Sequence, residues 1–174
     1  MTSSPLDGRT SRPGMDIFAD FEAFCARAER ATLVFVYRGD QVLLIVKQRG
    51  LGAGKVTGPG GRLEPGETAH ACACRELQEE VGLQALHLVR RGELAFQFTD
   101  GYALYVDVFS TDAVTGEPTA SEEALPFWCA RDAVPYDAMW ADDILWFPLM
   151  LREVPFSGRF IFDGDTMVAH ELLA

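Results

Sequence analysis

A three-layer α/β/α sandwich around a mixed β-sheet is the fold class that this 174-residue sequence predicts. Three observations lead there. Short β-rich runs bracket segments of helical composition, as expected when helices cover both faces of a sheet. No internal repeat divides the chain into modules. Apolar residues make up 48% and charged residues 24%, which are globular values and leave material for one substantial core.

The elements follow in order. Residues 1–15, rich in Ser, Thr, Pro, Gly and Asp, are expected to form a flexible tail. Residues 16–30 are expected to form an N-terminal helix capped by Asp16, with Ile17, Phe21, Phe24, Cys25 and Ala28 on one face. Residues 31–174 make the main domain. Thr32 to Tyr37 and Gln41 to Gln48 are strands joined through Arg38, Gly39 and Asp40. A loop with Gly50, Gly52 and Gly54 leads to a short strand at Val56. Thr68 to Val81 contains no Gly or Pro and is a helix, stopped at Gly82. Leu86 to Arg90 and Glu93 to Phe98 are strand-like and separated by Gly92, and Tyr102 to Ser110 follows the Asp100-Gly101 turn. Leu125 to Ala130 is a further strand. Ile144 to Leu151 is helical, with Pro148 expected only near its start or at a kink. Gly158 to Phe162 and Thr166 to His170 close the chain as a hairpin.

Charge and cysteine usage narrow the function. A net charge of −11 argues against a nucleic-acid binder, which carries a basic face. No leader or membrane-spanning run is visible, so a cytoplasmic protein with no membrane partner is expected. Cys25, Cys72, Cys74 and Cys129 form no C-x-x-C pair and are expected to be reduced thiols.

The most informative stretch is Gly61 to Leu83. Five residues separate Gly61 from Glu67, and seven separate Glu67 from Arg75. Glu76, Leu77, Gln78, Glu79, Glu80, Val81, Gly82 and Leu83 follow. At about 100° per residue, Glu76, Glu79 and Glu80 share one flank of a helix, and His70, Cys74, Leu77 and Val81 form a stripe suited to the core. Carboxylates three and four residues apart repel one another by a few tenths of a kcal/mol per pair. A divalent cation relieves that repulsion, and oxygen-rich, partly hydrated sites suit Mg²⁺ or Mn²⁺. An isolated E-x-x-E-E is more often a solvated acidic face. The Gly-rich entry loop and Arg75 at its offset favour the metal reading.

This stretch fills all nine fixed positions of the Nudix box, G-x5-E-x7-R-E-U-x-E-E-x-G-U with U apolar, and so resembles the Nudix superfamily. The segments Lys47 to Lys55, Met139 to Asp143, Trp146 to Leu149 and Phe160 to Thr166 resemble one branch of it, the MutT-related oxidised purine nucleoside triphosphate hydrolases, or 8-oxo-dGTP diphosphatases. The resemblance covers Thr32 to Val168 and implies the Nudix fold. It implies metal held by Glu76, Glu79, Glu80 and Glu123 with a main-chain carbonyl at Gly60 or Gly61. Glu67 and Arg75 would pair structurally, and Glu79 or Glu80 would accept a proton from the attacking water. Lys47 would face the phosphates. Thr32, Thr57, Phe96, Phe98, Trp140, Asp142, Asp143 and Trp146 would hold the base, with Asp142 and Asp143 sharing a proton. The competing reading of the aspartates is a helix cap at Asp142 and a solvated Asp143.

The implied reaction releases a nucleoside monophosphate and pyrophosphate from a modified purine nucleoside triphosphate, sanitising the nucleotide pool. Mg²⁺ (or Mn²⁺) is the implied cofactor, and the protein is expected as a monomer or homodimer. The branch has an aromatic-Asn-Gly sequence before the box and often Phe before the loop's second glycine. Here Val56-Thr57-Gly58 and Leu51 stand there, which bears on the choice of base. The alternatives are hydrolysis of other nucleotides, normal dNTPs or nucleotide sugars, or a non-hydrolytic nucleotide-sensing module.

Overall fold

Both alternating sets of side chains in Thr32 to Tyr37 are apolar or nearly so, and β1 (Glu29–Arg38) is buried on both faces. A strand of that kind belongs in the middle of a sheet. The computed structural model, which describes residues 14–174, places it there. Of the tail expected at residues 1–15, residues 1–13 lie outside the described residues, and Met15 already belongs to a 3₁₀ turn.

Along the chain follow β2 (Gln41–Lys47), β3 (Val56–Thr57), β4 (Gly60–Arg62), α2 (Ala69–Val81) after the short α1 (Phe21–Arg27), β5 (Gln84–Ala85), β6 (Val89–Phe98) and β7 (Ala103–Thr111). Then come β8 (Val114–Thr115), β9 (Ala124–Ala130), α3 (Asp143–Leu151), β10 (Phe156–Asp163) and β11 (Thr166–Leu173). The main sheet runs β11-β10-β6-β7-β1-β2-β3, with β4 beside β1 and β9 beside β2. It is mixed: β1 is parallel to β7 and β10 is parallel to β6, while the other pairs are antiparallel. β5 and β8 make a separate two-stranded ribbon.

Three layers result. Val34, Val36, Leu43 and Ile45 meet Ala73, Leu77 and Val81 of α2 on one face. Phe35, Tyr37, Val42 and Leu44 meet Trp146, Phe147 and Met150 of α3 on the other. Phe18 and Phe24 cover Ala95, Ala103 and Tyr105 on the α2 side, farther along the sheet. β1 also changes neighbour along its length. Ala31 to Leu33 pair with β4, whereas Tyr37 and Arg38 pair with β2. Residues from both flanks line the cavity described below.

The structure departs from the sequence reading in several places. Residues 16–30 are not one helix: Met15–Phe18 is a 3₁₀ turn, and α1 is capped by Asp20, whose Oδ1 accepts from the Ala23 N–H at 3.0 Å. An Asp that can cap a new turn competes with helix continuation, and Asp16 has no such role. Gly92 does not divide two strands. β6 passes through it with an irregular register between Arg90 and Gly92, and Phe156 packs where a side chain at Gly92 would stand. β4 lies where no strand was expected. The core face of α2 is rolled toward its acidic flank, so that Cys72, Ala73, Leu77 and Val81 are buried with Glu76 and Glu80, while His70 is exposed and Cys74 half-buried. Pro148 is the sixth of nine residues in α3, and the residue four before it, Ile144, is exposed. Water can therefore satisfy the carbonyl that the proline leaves free.

Candidate active site

α2 starts and stops on local signals. Thr68 Oγ1 accepts from the Ala71 N–H at 3.1 Å, and Gly82 ends the helix in the left-handed region at φ 74°. The entry loop is tied to the helix by one guanidinium. Arg75 donates to both carboxylate oxygens of Glu67 at 2.7 and 2.8 Å, to the Arg62 carbonyl at 3.1 Å and to Glu76 at 2.8 Å. The Arg75 bonds, helped by the Glu64 N–H, hold the Glu67 carboxyl down at about 2.

This tie brings β4 against the helix, and only glycine fits there. A Cβ on Gly60 would lie 1.9 Å from the Thr32 carbonyl oxygen, and one on Gly61 would lie 2.4 Å from the Glu76 carboxyl carbon. Backbone and carboxylates are thereby pressed together. The Gly60 N–H donates to Glu80 Oε2 at 3.1 Å, and the Cys72 thiol donates to the Gly61 carbonyl at 3.5 Å. Burial pushes that thiol up to about 11, so it stays protonated.

Glu76, Glu80 and Glu123 come together across this junction. One oxygen from each lies within 4.8 Å of the others. Glu76 and Glu80 are buried, and Glu123 reaches in from the segment before β9, where Arg49 donates to it at 2.7 Å. Burial raises the Glu80 carboxyl to about 7, the Gly60 N–H opposes the rise, and the Glu76 and Glu123 charges add to it. Burial raises Glu76 too, against the opposing Arg75. Glu79 is not in this cluster; it is exposed and bonds Arg75 at 3.2 Å. Lys47 borders the same end of the cavity, and burial lowers its ammonium against the pull of Glu80. Three carboxylates crowded within 4.8 Å are a donor set for a hard divalent cation, which suits oxygen ligands and removes the repulsion.

The cluster forms one end of a cavity of about 600 Å³. The other end is aromatic. Trp140 stands edge-on to Phe162 at 5.4 Å and to Phe98 at 6.2 Å, and Phe96 stacks on Phe160 at 5.4 Å. Thr57 borders the cavity as well. Asp142 and Asp143 lie at this end, only 2% and 6% exposed. Asp142 Oδ1 and Asp143 Oδ2 are buried without any partner. Burial raises both carboxyls, and the charge of Asp142 raises Asp143 further. Asp142 makes no side-chain cap on α3, which removes the capping reading, and Asp143 is not solvated.

Two residues assigned to the base pocket from the sequence have other contacts. Trp146 is fully buried, so it offers no free face for stacking; its indole N–H instead donates to Asp142 Oδ2 at 2.8 Å and fixes that carboxyl. Thr32 borders the cavity, but its hydroxyl lies 3.5 Å from the Cys72 sulfur on the α2 side of β1. The sequence reading missed Phe162, whose alternation with Phe160 in the closing hairpin was its available signal. It also missed Gly52, where a Cβ would lie 2.7 Å from Trp140 Nε1, a contact with no local sequence signal.

Residues 27–150 match the NUDIX domain family. The chain is 47% identical to the oxidized purine nucleoside triphosphate hydrolase of Danio rerio over 143 residues, 81% of this chain and 92% of that protein. It is 44% identical to the protein of the same name from Mus musculus, with the same coverage. The solved structure of the MutT protein from Bacillus halodurans superimposes with a TM-score of 0.75 at 28% identity, covering 83% of this chain and 97% of that one. Nudix hydrolases use divalent metals, in keeping with the carboxylate cluster. On the complete box, the fold and these relatives, the chain belongs to the Nudix hydrolase family.

Proposed function

We propose that the protein hydrolyses oxidised or otherwise modified purine nucleoside triphosphates to a nucleoside monophosphate and pyrophosphate, removing them from the nucleotide pool. The observation that carries this reading is the two-ended cavity. Three carboxylates and Lys47 lie at one end, and aromatic rings with a buried aspartate pair, each carrying one unpartnered oxygen, lie at the other. The relatives named for oxidized purine nucleoside triphosphates support it.

The chain's own groups divide the work. Glu76, Glu80 and Glu123, with the main chain at Gly60 and Gly61, would hold Mg²⁺ or Mn²⁺. The bound metal would neutralise phosphate oxygens and lower the pKa of water. Arg75 and Glu67 hold β4 and its carbonyls against the helix. Lys47 places a positive charge beside the phosphate chain. Glu79 or Glu80 takes the proton from the attacking water, and Glu79 is the more accessible of the two. Trp140, Phe96 and Phe98 provide aromatic surface for the base. Burial raises the proton affinity of both Asp142 and Asp143, and the charge of Asp142 raises Asp143 further, which favours a pair that shares one proton. It then presents both a donor and acceptors, which matches the edge of a purine carrying an altered hydrogen-bonding pattern. Thr57 contributes a hydroxyl where the branch has an amide, so fewer contacts to the base come from β3.

Among the described residues no helix is long and apolar enough to cross a membrane. A cytoplasmic enzyme acting on free nucleotides, as a monomer or homodimer, is the reading in keeping with the acidic surface. Phosphorus NMR of the products tests the reaction. Pyrophosphate and nucleoside monophosphate in equal amounts, formed only with Mg²⁺ or Mn²⁺, support it. A nucleoside diphosphate with inorganic phosphate, or tight binding without turnover, refutes it.

A further inference from the structure

Trp140 is held from more sides than a stacking platform requires. Phe162 and Phe98 meet it edge-on, and the backbone of Gly52 lies against its indole nitrogen. Lys55, the residue just before β3, completes the enclosure. Its ammonium lies 5.0 Å from the centre of the Trp140 ring. The same ammonium is 3.7 Å from Asp165 Oδ2, in the turn between β10 and β11. Three distant chain segments, the glycine loop, the Trp140 segment and the last hairpin turn, therefore meet at one charge. Lys55 is also the cation that acts on the buried Asp143.

We propose that Lys55 is a positioning and specificity residue, whose ammonium, anchored by Asp165, fixes the Trp140 indole and places a positive charge behind Asp143, thereby setting how tightly the base is held. The inference rests on the assignment of Trp140 and Asp143 to the base, and it gives Lys55 a role separate from that of Lys47. Lys47 serves the phosphate end; Lys55 serves the other. A cation over an indole face is attracted by the ring quadrupole and restrains its rotation. The groups that bear electrostatically on Asp143 are Asp142, which raises its proton affinity, and Lys55, which lowers it. Burial raises the Tyr136 phenol, and the charge of Asp143 adds to that rise. Loss of Lys55 therefore lets the aspartate pair keep its shared proton to higher pH.

The test compares wild type with Lys55→Met, Lys55→Arg and Asp165→Asn. The probe is the nucleoside monophosphate of whichever triphosphate the wild type turns over best, and its Kd is measured by calorimetry in EDTA. Omitting metal and the outer phosphates isolates the base end. Lys55→Met is expected to weaken binding about tenfold, the scale of losing one partly desolvated cation–π contact. KM for the triphosphate should rise by a similar factor, with kcat within twofold of wild type. Lys55→Arg should restore binding, and Asp165→Asn should weaken it less than Lys55→Met does. The alkaline limit of binding in Lys55→Met should lie above that of wild type. An unchanged Kd in Lys55→Met overturns the proposal, as does a loss confined to kcat. A lowered Tm and weakened binding that arginine fails to restore would reduce Lys55 to a packing role and also overturn it. If wild type shows no preference for a modified purine, the oxidised-purine assignment fails on that result alone, while the Lys55 comparison still reads out with the probe it selects.

Discussion

Replacing Glu80 by Gln should make the metal-free protein more stable at pH 8 while removing most of its activity. Glu80 is 5% exposed, and its carboxyl is raised from the usual 4.5 to about 7. A raised carboxyl binds its proton more tightly in the folded state, so ionisation opposes folding. The penalty is absent below about pH 4.5, grows between 4.5 and 7, and is complete above 7. At about 1.4 kcal/mol per pH unit of separation, the upper bound is roughly 3 kcal/mol. Glutamine keeps an oxygen for the Gly60 N–H and carries no charge, so about 1–3 kcal/mol of this should be regained. For a chain of this size that is roughly 3–9 °C in Tm. The assay is thermal unfolding in EDTA at pH 4.5 and pH 8, beside kcat with Mg²⁺. The variant should gain stability at pH 8, gain none at pH 4.5, and lose on the order of 10²-fold in kcat. A variant less stable than wild type at pH 8 would refute the claim that burial and neighbouring carboxylates make the ionised Glu80 costly in this cleft. Retained activity in both Glu79→Gln and Glu80→Gln would refute the catalytic role of the helix.

Other outcomes follow from the same geometry. Gly61→Ala should cost on the order of 10²-fold in kcat, because the added methyl would fall 2.4 Å from the Glu76 carboxyl carbon; activity within threefold of wild type would show that the contact relaxes harmlessly. Asp142→Asn should change the ranking of bases by kcat/KM more than it changes Tm; a change in Tm alone would leave Asp142 a structural partner of Trp146. Arg75→Gln should lower Tm and weaken Mg²⁺ activation together, since one guanidinium holds Glu67, Glu76 and the Arg62 carbonyl; a kcat effect with full stability and metal affinity would place Arg75 in the chemistry instead.

How much of this was legible in the sequence differs by element. α2, its cap at Thr68 and its stop at Gly82 were readable because helix signals are local. The position of Glu123 beside Glu76 and Glu80 was carried only by resemblance, since it depends on β9 pairing with β2. The roll of α2 that buries Glu76 and Glu80 was not readable. A hydrophobic stripe placed His70 and Cys74 inside, whereas the close approach of β4, possible only at Gly60 and Gly61, fixed the helix orientation. The aspartate pair was seen as a motif, but its environment was not. Trp146 resembles a stacking residue in sequence and proves to be the hydrogen-bond donor that fixes Asp142. Gly52, Lys55 and Phe162 act on Trp140 through contacts between distant segments, which no local pattern encodes.

The central claim is that one cavity joins metal-assisted phosphate hydrolysis to the selection of a modified purine. A Mg²⁺-dependent turnover panel of oxidised, methylated and normal nucleoside triphosphates, compared by kcat/KM, tests it most directly. An oxidised or methylated purine should lead the panel by at least about tenfold over its normal counterpart, the discrimination expected from one well-placed hydrogen-bonding pair. Equal kcat/KM for modified and normal purines, or preference for a pyrimidine, would contradict it.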